Sequence, residues 1–157
     1  MAVAVLAAPA CGGRGNAPVP DEGTVSVTGR VRLAGSTPFE QVLIEPEDTT
    51  ALSVEVSGNY RVELRQLSGA KVRAAGAVLG LGQLRVSEYE ILEIAGHVPV
   101  VGILELEDGR AAVIPVTGDR VEVHAVPAEL VQKAGAKVWV ILDPNGEVKG
   151  YGIIREQ

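Results

Sequence analysis

The chain is 157 residues long and 46% apolar, with aromatics at only 3%, so it suits one domain, or two very small ones, with an aliphatic, β-branched core. Nineteen glycines and nine prolines indicate many turns and few long helices. A net charge of −6 disfavours a nucleic-acid backbone as main partner, no stretch approaches the ~20 apolar residues of a membrane-spanning helix, and the single cysteine excludes both an internal disulfide framework and a Cys-based metal cluster.

Residues 1–10 form an apolar run that ends in small residues, Ala8-Pro9-Ala10, directly before Cys11. A Gly- and Pro-rich segment, Gly12–Pro20, follows and reads as a flexible tether. The run resembles the end of a bacterial lipoprotein signal peptide, in which small residues precede a cysteine that becomes the lipidated N-terminus. The resemblance implies residues 1–10 as signal-peptide remnant, 11–23 as lipidated Cys11 and linker, and a membrane as partner through that lipid. Gly12, where such lipoproteins can carry Asp, implies outer-membrane sorting in a two-membrane cell. No Lys or Arg lies near Met1, and a start assigned too far downstream would account for the missing basic segment. A plain secretory leader and a cytoplasmic N-terminus are the alternatives.

From Thr24, Val25, Val27, Val31 and Leu33 alternate with Ser26, Thr28, Arg30 and Arg32, which predicts a half-buried strand bent at Gly29. Val42-Leu43-Ile44 reads as a short strand ended by Pro46, and Leu52, Val54 and Val56 as another. Ser57-Gly58-Asn59 then signals a hairpin into Tyr60-Arg61-Val62. A short helical turn is expected before Gly69, with a strand to Val78. A last strand with a bulge at Ser87-Glu88, where the apolar parity flips, completes the first half.

The second half repeats the first. Glu63-Leu64 and Gly69-Ala70-Lys71-Val72 recur as Glu129-Leu130 and Gly135-Ala136-Lys137-Val138 at a constant offset of 66. Gly102 takes the place of Gly29 at an offset of 73, so the second copy has lost seven residues, a loss assigned to the Gly35–Gln41 loop. In both copies a Gly stops the helical turn, because it takes a left-handed backbone without steric cost. Strands, a short helical turn, then a further strand is similar to the order of an oligonucleotide/oligosaccharide-binding (OB) barrel, in which the turn plugs one end. The expected fold is therefore mainly β: two tandem small OB-like barrels, residues 24–95 and 96–157, each with one short helical turn.

Chemistry is sparse. His97 and His124 lack metal-ligand spacing and read as surface residues, and the acidic turns lack the spacing of a calcium loop. No nucleophile elbow or phosphate loop is present, so the expectation is no enzyme, no cofactor and no metal. Arg30, Arg32 and Arg73, with Tyr60 among them, are the candidate ligand-binding residues on a barrel face. Glu40, Glu45, Glu47, Asp48, Glu55 and Glu63 balance the basic residues of that region, and Trp139 reads as core. The expected role is a non-catalytic binding or accessory module of the envelope, with another envelope protein or an oligosaccharide as partner. The alternative is a soluble OB-type protein binding single-stranded nucleic acid.

Overall fold

The computed structural model describes residues 23–157 apart from Leu81. Cys11 and the linker ahead of Gly23 lie outside the described residues. Strands β1 (Thr24–Ala34), β2 (Gln41–Pro46), β3 (Val54–Ser57), β4 (Lys71–Gly80) and β5 (Gln83–Glu93) close into a barrel in the order β1-β2-β3-β5-β4. Helix α1 (Arg61–Arg65) lies between β3 and β4. β3 meets β5 in parallel, and the other pairings are antiparallel. That is the arrangement of an OB barrel.

β6 (Val100–Glu107), β7 (Arg110–Ile114), β8 (Val121–Val123), α2 (Ala128–Val131), β9 (Lys137–Leu142) and β10 (Val148–Arg155) repeat the plan, with sheet order β10-β9-β6-β7-β8. Here the closing seam is a single parallel bridge, His124 to Glu147, held by the His124 amide on the Gly146 carbonyl and the Val148 amide on the His124 carbonyl. The molecule is two tandem small OB-like barrels.

The duplication holds at the level of single hydrogen bonds. In the first barrel the Gly69 amide donates to the Val31 carbonyl and the Val31 amide to the Ala70 carbonyl. In the second, Gly135, Leu104 and Ala136 make the same pair of bonds. Both stop glycines are left-handed, at φ +87° and +86°. The first strand of each barrel turns a corner at its glycine, pairing on one side before it and on the other after it. A Cβ on Gly29 would stand 2.3 Å from the Glu45 carbonyl oxygen, and one on Gly102 would stand 2.2 Å from that of Ile114. Each of those residues precedes a proline, which makes Pro46 and Pro115 counterparts.

Three expectations change in detail. The seven-residue loss falls in two places: four residues between the corner glycine and its proline, and three between that proline and the Gly-Ala-Lys-Val strand. Tyr60-Arg61-Val62 opens α1 instead of a strand. Tyr60, Glu63, Leu64 and Leu67 share a helical face turned inward, which leaves Val62 67% exposed. Val25 and Leu33 share the inward parity of Val31, yet each is 37% exposed. The bulge is where the parity flip put it, with the β4–β5 register skipping Ser87.

The first core gathers Val31, Val42, Ile44, Val56, Leu64, Leu67, Val72 and Leu84. It also includes Ile154 of β10, and Val101 and Trp139 of the second barrel pack against it. Burying such apolar surface is worth about 25 cal/mol per Å², which matters most to barrels this small. The two sheets are joined by a two-residue turn, Ala95-Gly96, both residues left-handed, with Ile94 and His97 hydrogen-bonded across it.

Candidate functional site

The one buried charged side chain among the described residues is Glu63, 4% exposed, and it sits where the barrels meet. α1 carries it, and the second barrel supplies its cations. One carboxylate oxygen accepts from the Tyr89 hydroxyl at 2.6 Å and from the Lys137 ammonium at 2.6 Å. The other accepts from the Arg155 guanidinium at 3.0 Å. Lys137 also donates to the Tyr89 oxygen at 3.0 Å and lies 4.7 Å from that ring's centroid, a cation–π contact. Tyr60 closes the far side, edge-on to Tyr89 at 5.3 Å.

The electrostatics follow from this arrangement. Burial alone would raise the Glu63 carboxyl, but Lys137, Tyr89 and Arg155 together hold it below its usual value. Burial and the adjacent Glu63 carboxylate push the Tyr89 hydroxyl well above the ordinary phenol range. Glu63 is thus kept charged and Tyr89 kept protonated. A buried charge needs its partners: with them the desolvation cost is offset, and removing one leaves an uncompensated charge.

Register shows that the second barrel holds a copy of this pair. Tyr89 lies opposite Ala74 on β4, and Tyr151 lies opposite Val140, the residue 66 positions further on. Tyr151 donates to Glu129 at 3.0 Å, as Tyr89 does to Glu63, and that bond raises the Tyr151 hydroxyl. Glu129, however, is exposed. The Glu–Tyr pair is therefore built twice and covered once.

The face that does the covering is equally unlike its counterpart. From the second barrel Val101, Trp139, Ile154, Lys137 and Arg155 meet the first. Trp139 points away from its own core, and Gly152 opposite leaves room for its indole, since a Cβ there would stand 2.5 Å from the ring nitrogen. In the first barrel the same places hold Thr28, Arg73, Leu92, Lys71 and Glu93. Arg73 pairs with Glu90, Lys71 with Glu47, and Glu93 with Arg30.

Arg30, Arg32 and Arg73 lie on the outward face of β1 and β4. Each is matched to a carboxylate: Arg30 to Glu93 at 3.0 Å, Arg32 to Glu45 at 2.9 Å, Arg73 to Glu90 at 3.1 Å. Tyr60 stands apart from them, packed onto the first core. His97 and His124 are exposed. Among the described residues no group of three or more His, Cys, Asp and Glu side chains could hold a metal ion.

A cleft of about 810 Å³ lies on the second barrel, lined by Leu106, Ala111, Val123, Val126 and Val131, with His124 at its edge. The first barrel keeps a longer loop in the corresponding place, where Arg65 pairs with Glu40 and Arg61 donates to the Glu40 carbonyl. The β6–β7 turn, Asp108-Gly109, is four residues shorter and leaves α2 uncovered, with Val131 where α1 has Arg65.

In comparisons with protein-family models, with curated proteins and with solved structures, nothing matches this chain.

The Glu–Tyr pairs escaped the sequence reading, although one signal was in plain view. Glu63 and Glu129 stood in the repeated motif, and Tyr89 and Tyr151 closed the two halves in parallel. Register alone joins helix and strand into one pair.

Proposed function

We propose that this chain is a non-catalytic accessory module of the bacterial cell envelope, anchored through a lipid on Cys11, that works by contact with a partner. The observation that carries the anchoring is Ala8-Pro9-Ala10-Cys11 followed by the Gly12–Pro20 tether. The fold favours contact-making, since OB barrels present a surface for ligands. The carboxylate matched to each of Arg30, Arg32 and Arg73 speaks against a polyanionic strand as ligand, because a phosphate backbone needs cations left free to replace its counterions.

Intact mass measurement of the protein recovered from its native membranes tests the anchor. The expected result is a gain of diacylglyceryl size that disappears in Cys11→Ser. An unmodified thiol on Cys11 overturns the anchored reading. Salt-dependent retention on single-stranded DNA overturns the protein-contact reading in favour of the nucleic-acid one.

A further inference from the structure

We infer that the exposed Glu129–Tyr151 pair is a second socket, and that it takes a β edge of another protein presenting a lysine and an arginine on adjacent antiparallel strands. The inference rests on the reading of the chain as a contact-making module, but not on the lipid anchor.

The template is internal. In the first barrel the same Glu–Tyr pair, Glu63 and Tyr89, is capped by Lys137 and Arg155, which lie opposite one another on β9 and β10. Aliphatic and aromatic side chains beside them, Ile154, Val101 and Trp139, seal the contact. The second barrel keeps the acceptor half of that joint. Glu129 and Tyr151 hold the same hydrogen bond, and Val126 stands at the position of Tyr60. Val126, just ahead of α2, and Val131, at its end and 39% exposed, both line the neighbouring cleft and add apolar surface. A carboxylate held by a tyrosine, with an apolar cleft on the same barrel, is complementary to a cation set among apolar groups.

A second copy of this chain does not supply that edge. Its Lys137 and Arg155 are engaged within its own joint. Its first barrel offers Lys71 already bound to Glu47, Arg73 in place of the tryptophan and Glu93 in place of the arginine. Glu93 would meet Glu129 as like charge against like. That acidic substitution blocks head-to-tail growth, which a heterologous contact that does not close would otherwise allow. The occupant is a different protein with the basic pair intact.

The missing edge can be written onto this chain itself. A donor carrying Glu47→Gln, Arg73→Trp, Glu90→Gly to make room for the indole, and Glu93→Arg presents it from the first barrel, and Glu129→Lys in the same donor prevents it from receiving another copy. Mixed with the wild-type chain in sedimentation velocity, this donor is expected to form a 1:1 complex that weakens as salt is raised. Glu129→Lys in the receiving chain should weaken association at least tenfold, and Tyr151→Phe should weaken it less. All the altered side chains are exposed or half-exposed, and circular dichroism verifies the fold of each variant. Should this donor be misfolded, Glu93→Arg with Glu129→Lys alone serves as donor. A folded donor that stays monomeric beside the wild type overturns the inference, as does a complex indifferent to Glu129→Lys. Neither result bears on the mass of Cys11.

Discussion

Glu63 and Glu129 are the same residue in two environments, so they separate what burial does from what the residue does. Glu63→Gln leaves Lys137 facing a neutral amide at a buried joint and should cost about 3 kcal/mol. Glu129→Gln breaks one exposed bond to Tyr151 and should cost less than about 0.5 kcal/mol. Tyr89→Phe should fall between, at roughly 1–2 kcal/mol, because it removes one donor from a buried carboxylate. Urea unfolding of the three variants measures the order, and equal losses at Glu63 and Glu129 would contradict the burial asymmetry. The repeated glutamate was legible in the sequence. Its fate was not, because Lys137 and Arg155 reach it across 74 and 92 positions of chain, and no local pattern records a contact of that range.

At the scale of elements, the strands were legible from alternation and the corners from Gly29 and Gly102, because a half-buried strand shows its two faces directly. Loop bookkeeping was less legible, since an offset fixes how many residues are lost but not where. The corner glycines yield a sharp prediction. Gly29→Ala and Gly102→Ala each force a Cβ into a facing carbonyl, at 2.3 and 2.2 Å, and should cost about 1–3 kcal/mol as the strands part. Gly150→Ala meets only the Ile141 and Trp139 side chains, at 3.5 and 3.8 Å, and should stay within about 0.5 kcal/mol of wild type. Thermal melts of the three variants rank them. The two seams differ as well: β3 and β5 pair over three positions, whereas the second barrel closes on His124 and Glu147 alone. The amides of His124 and Val148 should therefore exchange with solvent at least about tenfold faster than those of the first seam, as marginal closures open locally before the core does. Equal protection would mean that something other than the bridge holds the second barrel shut.

For the whole molecule, the joint couples two barrels that are individually small to one ionisation. Glu63 has a folded-state value below its ordinary 4.5, so the stability it contributes is complete above about pH 4.5 and drains away as the pH falls through the lower folded value. Other carboxylates, Asp143 among them, are also held low, in its case first by the Glu147 amide. Acid unfolding of the wild type alone would therefore mix their effects with that of Glu63. The difference between wild type and Glu63→Gln isolates the joint, since every other group is common to both. That difference in stability should be largest near neutrality and shrink as the pH falls below about 4.5, where a protonated Glu63 comes to resemble the glutamine. Melting wild type and Glu63→Gln from neutrality downward decides whether the barrels are held together by a buried charge or only by the apolar contacts of Ile154 and Trp139. A difference that does not change with pH would assign the joint to the apolar contacts.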